Sequence, residues 1–192
     1  MFGLNLPNFL TVLRILLVPV LVVALLAGTG GEASDVLAAV VFAAASFTDA
    51  IDGWIARSRE QITTFGKLMD PVADKLLVIA ALLSLVSLGR LDAWVAMVII
   101  AREFAVTVAR LQARAEGVVI AANWWGKAKT MVQVLVIFLL ILVDPAPAWL
   151  NGLVYVMVAV TVISGIDYFF GMRRLLREAE ARRATRAREV PR

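Results

Sequence analysis

Six apolar runs alternate with short polar breaks along the chain, at about 9–27, 35–60, 70–88, 93–111, 126–143 and 149–170. Each is near the roughly 20 residues that a helix needs to cross a bilayer. The breaks carry turn chemistry: Gly28-Thr29-Gly30-Gly31, Gly89-Arg90-Leu91-Asp92 and Asp144-Pro145-Ala146-Pro147. Asp70-Pro71 opens the third run, and proline suits the first turn of a helix because the amide there has no intrahelical partner. The first run has no basic residue ahead of it, so it reads as a retained helix and not a signal peptide. Residues 1–8 place Phe2, Leu4 and Leu6 among polar neighbours and suit a short interfacial segment. The second run is crowded with small residues (Ala38, Ala39, Ala43, Ala44, Ala45, Ser46) that let backbones approach closely, so it is expected in the centre of a bundle. The pattern predicts an all-α polytopic membrane protein: a bundle of six transmembrane helices over residues 1–173, followed by a basic, arginine-rich tail at 174–192.

Composition agrees and narrows the chemistry. Hydrophobic residues make up 61% of the 192, against roughly 45–50% in an ordinary soluble domain. No cysteine and no histidine occurs, which removes disulfides, thiolate nucleophiles, the commonest general base and the commonest metal ligand. Chemistry is left to carboxylates, hydroxyls, lysine and arginine, and a metal held by carboxylates alone is a hard one, Mg2+ or Mn2+. Of 19 Lys and Arg residues, only Arg90 lies in the connections after the first, third and fifth runs. The positive-inside rule therefore puts both termini in the cytoplasm. Eight arginines follow Gly171; they anchor this topology and attract anionic headgroups. The basic excess is explained by the membrane, and no nucleic-acid partner is expected.

The charges that topology does not explain are Asp49, Asp52, Asp70 and Asp74, at the cytoplasmic ends of the second and third runs. On helices, 49 and 52 share a face, as do 70 and 74. Two unit charges 5 Å apart repel by about 3 kcal/mol at an effective dielectric near 20, so converging carboxylates need cations between them. Lys67, Lys75 and Arg57 offer a salt-bridge net; a pair of divalent ions neutralises all four acids and fits better. Gly53, Ala56 and Gly66 leave bare backbone beside the acids. Arg57 supplies a fork for phosphate oxygens, and a helix N-terminus near Asp70 adds free amides. Together these describe a site for a metal-bound diphosphate.

The spacing D-x2-D-G-x2-A-R-x8-G-x3-D-x3-D, filled by Asp49, Asp52, Gly53, Ala56, Arg57, Gly66, Asp70 and Asp74, resembles the signature of the CDP-alcohol phosphatidyltransferases at all eight positions. The resemblance implies a six-helix membrane enzyme, a homodimer, that moves a phosphatidyl group from CDP-diacylglycerol to an alcohol and releases CMP. It implies that Asp49, Asp52, Asp70 and Asp74 bind two ions, Mg2+ or Mn2+, and that Asp74 is also the catalytic base. Asp52, Gly53, Ala56, Arg57 and Gly66 would bind CDP-diacylglycerol. It further implies the bacterial inner membrane, with the active site facing the cytoplasm. Direct displacement and a covalent phosphatidyl-enzyme both stay open.

Further segments, Asn5-x-Pro7-Asn8-x-x-Thr11-x-x-Arg14, Ala101-Arg102-Glu103 and Trp125-Gly126-Lys127-x-Lys129-Thr130, are similar to members whose acceptor is sn-glycerol 3-phosphate. Thr11, Arg14, Arg102, Arg110, Lys127 and Lys129 are then candidates for holding that dianion. Inositol phosphate or phosphatidylglycerol is the alternative acceptor. A cation transporter would explain the acids but not Gly53, Ala56 and Arg57, and transporters commonly bind at the membrane midplane.

Overall fold

The computed structural model describes residues 6–27, 32–59, 64–115 and 124–189, with side chains described for 11–27, 33–48, 75–113, 124–175 and 177. Six α-helices account for nearly all of these: α1 (Leu6–Leu26), α2 (Glu32–Arg59), α3 (Thr64–Ser87), α4 (Ala93–Ala115), α5 (Trp124–Leu142) and α6 (Ala148–Glu189). Among the described residues there is no strand. The helices fall into two compact units. The first comprises Met1–Ala96 and Gln133–Val154, the second Met97–Val132 and Tyr155–Arg192.

Among the described residues, two helices are long and apolar enough by themselves to cross a membrane, Trp124–Leu142 and Ala148–Leu175, with 33% and 28% of their most apolar windows buried. A helix this apolar with most of its surface uncovered needs a lipid surround, not water. The described parts of α1, α2 and α3 are also apolar, at Thr11–Leu26, Ala33–Thr48 and Lys75–Ser87.

In the first unit α1 packs on both α2 and α3, which also touch each other. Ala38, Ala39 and Ala45 of α2 are buried with Leu21 and Leu25 of α1 and Ala81, Leu82 and Leu85 of α3. The expectation for the small residues of the second run is met in part: Ala38, Ala39 and Ala45 are buried, Ala43 and Ser46 half-buried and Ala44 exposed, and α1, not α2, is the helix that packs on both others.

Three helix ends differ from expectation. α3 starts at Thr64, so Gly66 is helical and Asp70-Pro71 lies in the helix interior, not at its N-terminus. The missing proline amide costs one backbone bond, which helices in a membrane tolerate, and the anion-binding amides expected beside Asp70 are not there. α1 starts at Leu6 with Pro7 in its first turn, taking in the end of the expected interfacial segment. α6 runs 42 residues to Glu189, so the helix continues through Gly171 into the arginine-rich stretch. Phe170, Arg173, Arg174 and Arg177 line a shallow groove there, with the Arg173 guanidinium 5.0 Å from the Phe169 ring centroid.

The α3–α4 turn shows how local chemistry places a long-range contact. Gly89 takes φ +70, a conformation glycine adopts without strain. Its amide donates to Val86 O (3.0 Å) and the Arg90 amide to Leu85 O (2.9 Å), the paired bonds of a Schellman cap. Asp92 then caps α4 from just before its first residue, its carbonyl accepting from the Val95 amide at 3.1 Å. Held in this turn, Arg90 donates to Asp35 Oδ2 at the start of α2 (2.8 Å) and to Ile141 O near the end of α5 (3.0 Å). It also pairs with Asp144 at 3.1 Å. Its side chain is only 8% exposed, so the one basic residue of these three connections ties three segments of the first unit together.

Arg90→Met should lower stability by about 3–5 kcal/mol, because Asp35 is left buried without a counter-charge. Adding Asp35→Asn should recover part of the loss. Thermal unfolding of the two variants in the same detergent checks both expectations; a single variant as stable as the parent would show that the clamp carries no net energy.

Candidate active site

Asp49, Asp52, Gly53, Ala56 and Arg57 all lie within α2, and Gly66, Asp70 and Asp74 within α3. Their side chains fall outside the described residues. Helical register puts positions 49, 52, 53 and 56 on one stripe of α2, spaced i, i+3, i+4 and i+7. Positions 66, 70 and 74 follow at i+4 intervals along α3. The earlier start of α3 thus turns Gly66 from a loop residue into part of the same stripe as two aspartates. The two helices are neighbours in the first unit and share α1 as a third.

On α1, Thr11 and Arg14 are each 2% exposed. Arg14 is one of the largest wholly buried side chains among the described residues. An interior guanidinium is costly unless opposite charge or hydrogen-bonding oxygen meets it. Among the described residues no three acidic side chains gather as a metal site; the metal assignment rests on the four aspartates. Their chemistry, carboxylate oxygen alone, suits a hard divalent cation.

The other candidates belong to the second unit. Arg102 of α4 donates through Nη1 to Glu103 Oε1 (3.1 Å) and through Nη2 to Ser164 Oγ of α6 (2.5 Å). Lys129 of α5, also buried, donates to the same Glu103 oxygen. One carboxylate therefore joins two of the cations expected to meet the acceptor, and α4, α5 and α6 meet around it. Glu103 was not among the expected site residues, although an acid inside an apolar run is itself a signal. Arg110 lies over the Tyr168 ring, 5.7 Å from its centroid, and Tyr168 packs with Ala109 and Met172. Lys127 is exposed. Among the described residues of this unit, four polar atoms are buried without a hydrogen-bond partner: Arg102 Nε, Arg110 Nε, Thr161 Oγ1 and Tyr168 Oη. Nothing in the sequence distinguishes Thr161, Ser164 or Tyr168 from ordinary residues of an apolar helix.

The CDP-alcohol phosphatidyltransferase family matches residues 4–165, which takes in both helical stripes and nearly all of the second unit's buried cluster. The chain belongs to the CDP-alcohol phosphatidyltransferase family. Among its relatives, a Mycobacterium tuberculosis protein (strain ATCC 25618 / H37Rv) named "Probable phosphatidylglycerophosphate synthase" is 44% identical over 167 residues, 85% of this chain and 79% of that one. The Bacillus subtilis (strain 168) "CDP-diacylglycerol--glycerol-3-phosphate 3-phosphatidyltransferase" is 41% identical over 180 residues, covering 86% and 93%. A Rickettsia felis protein of the same name is 33% identical over 175 residues, covering 86% and 93%. As a CDP-alcohol phosphatidyltransferase, the chain is a membrane protein and a transferase of phospholipid synthesis.

The unpartnered Tyr168 hydroxyl yields a direct test of its place in this protein. Removing a buried hydroxyl that makes no hydrogen bond loses nothing and avoids a desolvation penalty. Tyr168→Phe should therefore leave stability within about 0.5 kcal/mol of the parent or raise it, read by thermal unfolding without substrates; a clear loss would mean that the hydroxyl has a partner in the folded protein.

Proposed function

We propose that this protein transfers a phosphatidyl group from CDP-diacylglycerol to sn-glycerol 3-phosphate, giving phosphatidylglycerophosphate and CMP. The observation that carries the reading is the complete eight-residue motif, set as two helical stripes on the contacting helices α2 and α3 of a chain that belongs to this family. The choice of acceptor follows the names of its relatives in Bacillus and Rickettsia.

Asp49, Asp52, Asp70 and Asp74 would hold two Mg2+ or Mn2+ ions, which neutralise the diphosphate and stabilise departing CMP. Asp52, Gly53, Ala56, Arg57 and Gly66 form the surface for CDP-diacylglycerol, with bare backbone for the approach of the nucleotide and a guanidinium for its phosphate oxygens. Asp74 accepts the proton of the acceptor hydroxyl as its oxygen attacks the phosphatidyl phosphorus. Thr11, Arg14, Arg102, Arg110, Lys127 and Lys129 are the candidates for the acceptor, whose phosphate dianion calls for several cations. In this reading all six helices span a bacterial inner membrane as a homodimer, with both termini and the aspartates at the cytoplasmic face. A lipid donor can reach that level from the bilayer, and a soluble acceptor from the water.

Purified protein should release CMP from CDP-diacylglycerol when given glycerol 3-phosphate and Mg2+ or Mn2+, and chelation should stop it. Product from inositol phosphate or phosphatidylglycerol alone would reassign the acceptor, and no CMP release with any acceptor would end the enzyme reading. Asp74→Asn should lower turnover by about 10^2-fold or more, the usual worth of a general base, while CDP-diacylglycerol binding changes much less. Near-normal turnover in that variant would remove Asp74 from the role of base.

A further inference from the structure

Along the sequence, the eight arginines after Gly171 form one diffuse basic stretch. The structure singles out three of them. α6 continues unbroken through Gly171, so positions 162, 166, 169, 170, 173, 174 and 177 follow one another at helical spacing along one side of it. The first part of that side is apolar and open: Val162, Ile166, Phe169 and Phe170 are 42%, 53%, 48% and 66% exposed. It then turns basic, where Phe170, Arg173, Arg174 and Arg177 line a groove of about 330 Å3, near the small end of the range for small-molecule sites.

Two of these arginines can offer a guanidinium to a ligand. Arg173 stands 5.0 Å from the Phe169 ring centroid, a contact that steadies a guanidinium without using its N–H donors. Arg177 lies one turn further on. Both are exposed, and among the described residues no carboxylate pairs with either. Arg174 is already engaged within the protein and serves as wall. Planar guanidinium forks match phosphate oxygens in pairs.

The order along this side of α6 is also the order of a phospholipid. Apolar side chains, then phenylalanine, then arginine correspond to acyl chain, interface and phosphate. Val162 to Phe170 spans about 12 Å of helix, a length against which an acyl chain can lie. A soluble phosphate compound would have no use for that apolar half. Arginines that only mark the edge of a membrane need neither a groove nor an aromatic contact. Two adjacent guanidinium groups favour an anionic headgroup over phosphocholine, whose ammonium would be brought against them.

We infer that Phe170, Arg173 and Arg177 form a binding site for an anionic phospholipid, with its phosphate held by the two guanidinium groups and an acyl chain laid along α6. The residues proposed to bind CDP-diacylglycerol are all on α2 and α3 of the first unit, so the lipid on α6 is a resident neighbour and not the donor. The site is independent of which acceptor the enzyme uses.

Native mass spectrometry of the full-length protein in detergent, titrated separately with phosphatidylglycerol and phosphatidylcholine, tests this. The parent should bind phosphatidylglycerol about tenfold or more tightly than phosphatidylcholine. Arg173→Gln combined with Arg177→Gln should weaken phosphatidylglycerol binding about tenfold or more, the attraction of two basic residues for an anionic headgroup, and leave phosphatidylcholine binding unchanged. Arg182→Gln combined with Arg183→Gln removes the same charge further along α6 and should change it within about twofold, since solvent and salt screen charge outside the groove. Equal weakening in the two double variants would overturn the inference in favour of diffuse attraction to a basic helix, and so would a parent that does not distinguish the lipids. The KM for CDP-diacylglycerol, read from CMP release without added phosphatidylglycerol, should stay within about twofold in both variants. A rise confined to the Arg173→Gln, Arg177→Gln protein would make the groove part of the donor's site and overturn the inference as well. The titration needs no turnover, so it decides the matter even where the proposed reaction fails.

Discussion

A bundle of apolar helices has no water inside it to solvate an ion, so every charged side chain drawn into its interior must find opposite charge or hydrogen-bonding oxygen within a few ångströms. That constraint governs where the ionised residues of this protein sit and how they are shared. In the first unit a single guanidinium, Arg90, serves two carboxylates and a carbonyl from the ends of α2 and α5. In the second a single carboxylate, Glu103, serves two cations from α4 and α5. The two arrangements are opposite in sign and alike in economy: one buried ion of each kind joins several segments, so fewer charges have to be desolvated for each contact made.

The same constraint separates structural charge from functional charge. The Arg90 clamp is nearly closed, with a partner for each terminal nitrogen. The cluster around Glu103 is less closed, for the buried Nε of Arg102 has no hydrogen-bond partner. An enzyme of lipid synthesis has to hold anions, namely a diphosphate on the donor and, in the function proposed here, a phosphate on the acceptor. In the function proposed here, cations for those anions and acids for a metal are both expected of it, and like charges brought together are costly until their ligands arrive. The framework around them is correspondingly plain: alanines on α2 against leucines on α1 and α3, and outward-facing apolar side chains that lipid can cover.

Much of this could be read along the chain. The alternation of apolar runs and turn residues marks six helices, and Gly89 and the Asp144–Pro147 stretch stop helices where the structure stops them. The eight positions of the motif are identifiable without coordinates because four acids and an arginine are poorly suited to an apolar helix and stand at fixed spacing with three small residues. Helix ends were less legible. Asp70-Pro71 carries a start signal, yet α3 begins six residues earlier at Thr64, because hydrogen bonding along the helix and its setting in the bundle outweigh the cost of Gly66 and Pro71 within it. The arginines after Gly171 resemble a tail, yet α6 continues through them, since arginine is a good helix former and nothing in that stretch breaks the helix.

By itself the sequence determined the class of the protein, its helices and the acids and small residues of its family motif. These depend on residue type and local spacing, which are properties of a single chain. The tertiary structure alone decided partnership: that Arg90 joins Asp35 to Asp144, that Arg102 and Lys129 meet at one oxygen of Glu103, and that Ser164 and Gly165 fit around Arg102. Those residues are up to 109 positions apart, Asp35 from Asp144. Pairing over such separations is settled by how helices pack, and local sequence pattern does not encode it.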